Sequence, residues 1–268
     1  MQFPALRIMV VFVVAANAYI LALMAAGALL GGSLWADQRF SLRKYYLLMG
    51  WAPVAFGALA LMVDPRYLVL FVAAGVAGVL GELLVSLLWR TFFHQPIWTY
   101  NHRSVLGGFT STINFLPWAV GALCFHVTGR LVTWGSHAAA PTLLPVVVSS
   151  AAFVIGCAVA WPGRVTTSAR EGRFTPRAFA LFCLPIALTA LALSLFCGPR
   201  YLLLMLVFAP VGFFTEYVYG RLMSLFFDPA LWAYNHWRID GGHTSFVTFP
   251  LWSLGGLYFW FISSWIGL

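Results

Sequence analysis

Few residues in this chain are suited to chemistry, and they recur in a pattern. Only seven carboxylates occur in 268 residues, and two of them, Glu82 and Glu216, lie inside long apolar runs. An ionisable group at such a depth is expensive and marks a functional position by default. The competing reading is a structural glutamate, hydrogen-bonded to a Tyr, Asn or Trp and clamping two helices, with His102 or Arg90 as sources of positive charge. Sixteen residues after each glutamate comes a WxYNH segment: Trp98, Tyr100, Asn101 and His102 in the first case, Trp232, Tyr234, Asn235 and His236 in the second. Trp and Tyr suit a membrane interface, whereas a histidine can act as base, metal ligand or donor to a carboxylate. A GGxTS sequence follows each segment and supplies Thr110 and Ser111, then Thr244 and Ser245. Capping of the next helix is a sufficient role for the two threonines.

The two sets are unequal. Leu106 and Phe109 of the first are replaced by Asp240 and His243 in the second. The second set therefore gathers Glu216, His236, Asp240 and His243, which are candidates for acid–base catalysis or for a divalent metal. Glu82, Trp98, Tyr100, Asn101, His102, Trp232, Tyr234, Asn235, Thr244 and Ser245 would then bind or support. His94, His126 and His137 have no counterpart in this pattern.

The elements that must position these residues are apolar helices. Hydrophobic residues make up 62% of the chain and charged residues 8%, where a soluble domain carries roughly a quarter charged. That balance excludes a disordered chain, a collagen-like repeat and a nucleic-acid-binding domain. Runs long enough to span a bilayer need about 20 apolar residues, and eight are expected, near 8–34, 45–63, 67–89, 110–129, 141–161, 178–197, 201–223 and 245–266. The first is too long for the apolar region of a cleavable leader. Cys124, Cys157, Cys183 and Cys197 lie in or beside these runs without metal-ligand spacing and read as buried hydrophobes.

Orientation follows from the basic residues, whose excess over acidic ones gives a formal net charge of +8. In the eight-span arrangement Arg39, Arg43, Lys44, Arg90, Arg103, Arg164, Arg170, Arg173, Arg177, Arg221 and Arg238 share one side, 11 of the 15, and Arg7, Arg66, Arg130 and Arg200 the other. The richer side is expected to be cytoplasmic, leaving both termini non-cytoplasmic, in a plasma (inner) membrane.

An internal repeat organises the whole. Residues 98–121 and 232–255 are identical at 11 of 24 positions without a gap, an offset of 134. Glu82 and Glu216, Pro65-Arg66-Tyr67 and Pro199-Arg200-Tyr201, and Arg39-Phe40 and Arg173-Phe174 keep the same offset. Repeats with an even number of spans enter the membrane from the same side. The expected fold is all-α, a polytopic membrane protein of about eight transmembrane helices in two parallel four-helix repeats, residues 1–134 and 135–268. Gly75, Gly78, Gly81, Gly121 and Gly212 would permit close helix contacts.

The series of helical Glu, WxY, Gly and a downstream Trp-Gly pair resembles the ABC-transporter type IV family of small polytopic membrane proteins. The matching positions are Glu82, Trp98, Tyr100, Gly107, Trp118 and Gly121, then Glu216, Trp232, Tyr234, Gly241, Trp252 and Gly255. They cover about a third of each half. Thr99 and Ala233 stand where that family has an Asp after the Trp, and the Trp-to-Gly spacing differs.

Two functional classes follow from the residues, with a third beside them. The first is an enzyme acting on a lipid, isoprenoid or other amphipathic substrate at the cytoplasmic leaflet, with Glu216 and His236 as the acid–base pair and Asp240 and His243 orienting them or holding a metal. The second is a transporter or permease with a pseudo-symmetric path, in which Glu82 and Glu216 bind protons or cations. The third is a structural membrane subunit. Membrane lipid is the expected partner, with a homo-oligomer or another membrane subunit as further candidates. Walker A, GxSxG and HExxH sequences are absent, so ATP-driven transport would need another subunit.

Overall fold

A computed structural model describes residues 4–29, 37–102, 104–133, 143–165 and 173–268. Arg103, His137 and Arg170 lie outside them. About 76% of the described residues are helical, in the order α1 (Pro4–Leu29), α2 (Leu42–Met49), α3 (Trp51–Met62), α4 (Arg66–Phe93), α5 (Phe115–Val132), α6 (Leu143–Val165), α7 (Pro176–Phe182), α8 (Leu184–Phe196), α9 (Arg200–Ser224) and α10 (Thr248–Trp265). Four short strands interrupt it: β1 (Trp98–Tyr100), β2 (Trp232–Tyr234), β3 (Arg238–Ile239) and β4 (Thr244–Ser245).

Among the described residues six helical segments are long and apolar enough to cross a membrane: Ala5–Ala28, Leu42–Met62, Arg66–Phe93, Thr112–Val132, Leu143–Gly163 and Arg200–Ser224. A seventh is α7 with α8, which bend by 43° at their junction. Pro185 near the start of α8 has no amide proton to continue the α7 ladder, which explains the break. The eighth expected run is α10. It is 18 residues long and is not among the helices long and apolar enough to cross.

Local sequence sets several helix starts. Ser41 caps α2 by accepting from Lys44 N, and Thr175 caps α7 by accepting from Ala178 N, with Pro176 in the first turn; both obey the preference for hydroxyls at this position. The element order α2–α3–α4–β1–α5 recurs as α7–α8–α9–β2–α10 at about the 134-residue offset.

The core lies where α4, α5, α9 and α10 meet. Phe125 of α5 and Phe259 of α10 stack there with centroids 6.0 Å apart and planes at 2°. At one end of this core the connections converge. Lys44 donates to the carbonyls of Asp37 and Phe226, Asp228 N donates to Gln38 O at 2.9 Å, and Phe174 stacks on His236 with centroids 4.5 Å apart. The polar site lies at this end.

Candidate functional site

Two carboxylates, Glu82 buried and Glu216 half-buried, form the centre of the site, each closed by its own set of donors. Glu82, one turn after Gly78 on α4, accepts from Thr110 Oγ1 at 3.0 Å, Asn114 Nδ2 at 2.9 Å and Trp118 Nε1 at 3.0 Å. Glu216, one turn after Gly212 on α9, accepts from Thr244 Oγ1 at 2.6 Å, from Trp252 Nε1 at 3.2 Å and from the Tyr234 hydroxyl. Three donors per carboxylate answer the requirement that a buried charged group be hydrogen-bonded.

The glycines explain how the indoles reach so far. A Cβ on Gly78 would lie 2.2 Å from the Trp118 ring, and one on Gly212 2.5 Å from the Trp252 ring. Each tryptophan thus lies across a bare stretch of helix backbone and points its N–H at the glutamate one turn on. The two indoles meet, with centroids 5.3 Å apart.

The threonines do not cap helices, as expected from sequence; α5 and α10 start further on, and both hydroxyls donate to the glutamates. What places them is an unusual turn. Leu106, Gly107 and Gly108 all have positive φ (53°, 70° and 91°), and so do Asp240, Gly241 and Gly242 (47°, 75° and 97°). Glycine adopts this region without a Cβ clash, which accounts for the Gly-Gly pair in both turns.

The two WxYNH segments pair with each other as β1 and β2, antiparallel, with Trp98 opposite Tyr234, Thr99 opposite Ala233 and Tyr100 opposite Trp232. The asparagines fasten the ends of this ladder. Asn101 Nδ2 donates to Ala230 O at 2.7 Å and Asn235 Nδ2 to Pro96 O at 3.0 Å, while their backbone amides donate to Leu231 O and Ile97 O. Asn235 Nδ2 also donates to Thr99 Oγ1 at 3.2 Å.

The tyrosines and histidines differ between the segments. Tyr234 donates directly to Glu216, whereas the Tyr100 hydroxyl accepts from Asn114 Nδ2 at 3.0 Å and reaches Glu82 through that amide. His102 donates from Nδ1 to Leu231 O and accepts at Nε2 from Ser111, both at 2.9 Å. The His236 ring lies against the Pro96 backbone, but Ser245 donates to the carbonyls of His236 and Trp237 and leaves the ring. Burial pushes the basicity of both imidazoles down, and the facing carbonyl opposes it in each.

The expected second-set cluster is not drawn together. Asp240 is exposed, accepting from Tyr217 at 3.1 Å and lying 3.5 Å from Arg221 Nε. His243 is buried against Gly220, and burial lowers its basicity. Glu216 and His236 have the separate partners given above. No group of three or more His, Cys, Asp or Glu among the described residues could hold a metal ion. The reason is the left-handed backbone at Asp240, which turns that side chain out to α9 and away from the ladder. Arg90 and His102 do not touch Glu82 either: Arg90 donates to Gly107 O at 3.0 Å and lies over the Phe109 ring.

Sequence reasoning did not assign the donors Asn114, Trp118 and Trp252 to the glutamates. The signal was present, because Trp118 and Trp252 keep both the 134-residue offset and the same distance of 36 residues from their glutamates.

The chain matches no protein-family model, no curated protein and no solved structure. Function must be argued from the site itself.

Proposed function

We propose that the protein is a membrane permease in which Glu82 and Glu216 form a paired proton- or cation-binding site. The reading takes the fold as eight spans in two parallel four-helix repeats, 1–134 and 135–268, with the ladder on the cytoplasmic side of a plasma (inner) membrane and both termini opposite. The observation that carries it is the pair of carboxylates, 134 residues apart, held by equivalent Thr and Trp donors whose indoles touch at the seam between the halves. Transporters built from repeats place coupling ions at the interface of those repeats. Three contacts join residues to their own counterparts at the offset, Thr99 with Ala233, Trp118 with Trp252 and Phe125 with Phe259, which supports a two-fold axis running through the site. Of the residues that carry the resemblance to the ABC-transporter type IV family, Glu82, Trp98, Tyr100, Gly107 and Trp118 with their counterparts lie at this site, which supports the proposed kinship, while Gly121 and Gly255 do not.

A second reading is favoured by one observation. His236 Nε2 is buried without a partner, while its counterpart on His102 is satisfied by Ser111. An enzyme acting on an amphipathic lipid, with Glu216 and His236 as acid and base and Asp240 and His243 in support, would use that inequality.

The purified protein in vesicles with an internal pH dye and an imposed potassium diffusion potential tests both. Proton uptake is expected, and Glu82→Gln and Glu216→Gln should each abolish it. Loss in Glu216→Gln alone favours the second reading. Wild-type flux in both variants, or none in the native protein, overturns the permease.

A further inference from the structure

Buried polar side-chain atoms without a partner are rare and call for an explanation. Among the described residues three such atoms occur, Trp89 Nε1, Trp98 Nε1 and His236 Nε2. They are not scattered. Trp89 and Trp98 belong to one aromatic cluster beside the ladder, with Phe92, Phe93 and Tyr234, and the His236 ring lies 5.5 Å from the Trp89 ring. Trp89 is 0% exposed and Trp98 8%. Leaving one such group unpaired is costly, and here all three lie in or against one aromatic cluster.

Their chemistry is complementary. An indole N–H only donates. Nε2 of His236 has no partner, so the hydrogen bond of this ring with the Pro96 backbone points to Nδ1 as its donor, which leaves a lone pair on Nε2 of the neutral ring. An oxygen that accepts from an N–H and donates its own hydrogen matches this set, with the second indole available for its other lone pair. An anion does not match, because Nε2 would oppose it. A metal ion does not match, because indoles are not ligands.

The symmetry-related place around His102 lacks the arrangement. Position 223, the counterpart of Trp89, is Met223, and His102 Nε2 is already satisfied by Ser111. The serine that could satisfy His236, Ser245, is turned to backbone carbonyls. Phe174 stacks on both the His236 ring and the Trp89 ring, with centroids 4.5 Å and 5.6 Å away.

We propose that Trp89 Nε1 and His236 Nε2, with Trp98 beside them, form a binding site for one hydroxyl oxygen, either a structural water or the head group of a long-chain alcohol entering from the bilayer. The site stands independently of the permease reading and takes up the same His236 Nε2 from which the enzyme reading starts.

A double-mutant cycle on the purified full-length protein tests it. Replacing one partner of a bridged pair strands the other, whereas replacing both with apolar rings of similar shape is nearly neutral. Trp89→Phe and His236→Phe should each lower the unfolding midpoint by about 2–4 °C, and the double variant by no more than either single. Additive losses, or stabilisation by either single variant, overturn the site. Dodecanol added to the detergent distinguishes the two sources. If it raises the midpoint of the native protein and not of His236→Phe, the oxygen is an alcohol's; the coupling without that response identifies water. Should a variant fail to fold, a map of the native protein at a resolution that shows waters decides independently. An oxygen within hydrogen-bond distance of both Trp89 Nε1 and His236 Nε2 is expected, and a map without one overturns the proposal.

Discussion

Trp118 and Trp252 touch each other, with ring centroids 5.3 Å apart, while each donates its indole N–H to a different glutamate. The contact couples the carboxylates of Glu82 and Glu216, in opposite halves of the chain, through one aromatic pair. A change at either indole therefore acts on a charge site and on the seam together.

Trp118→Phe and Trp252→Phe keep most of the ring surface and remove one donor from a buried carboxylate. Each should destabilise the protein by about 1–3 kcal/mol, read as a lowered unfolding midpoint in detergent. If both are neutral, the indole hydrogen bonds do not hold the glutamates.

The glycines that admit these rings should be sharply selective. Gly78→Ala and Gly212→Ala place a Cβ within 2.2 Å and 2.5 Å of an indole, an overpacking that typically costs about 1–3 kcal/mol. Gly81→Ala meets nothing within 4 Å and should be neutral or stabilising, by up to about 1 kcal/mol, because alanine favours the helix. Equal effects at positions 78 and 81 would contradict the packing described.

Stability should fall on acidification in a window set by histidines. Burial depresses the basicity of His102, His236 and His243 in the folded chain. The unfolded state therefore binds more protons below the ordinary histidine value of about 6.5, and stability falls as pH drops through that value towards the lower folded ones. Above it the contribution is fully present. Unfolding midpoints measured from pH 7.5 to 5 should show this slope, and His102→Asn with His236→Asn should flatten it. An unchanged slope in that double variant would exclude these two imidazoles as its source.

The helical class, the run of apolar spans and the two glutamates were legible in the sequence, because burial in an apolar medium is written into composition and run length. The 134-residue offset was legible too, since Trp, Tyr, Asn, His and Gly recur without a gap. Partners were not. A helix that is apolar all round carries no stripe to show which side faces a neighbour, so the slots at Gly78 and Gly212 emerge only when α4 meets α5 and α9 meets α10. Likewise nothing local in WxYNH indicates that Thr99 will face Ala233, or that Asn101 and Asn235 will each hold a carbonyl of the opposite segment. Asp240 and His243 looked like companions of His236 by spacing alone. The left-handed turn through Asp240, Gly241 and Gly242 sends them elsewhere, because side-chain direction in a loop depends on backbone dihedrals that only the closed tertiary structure decides.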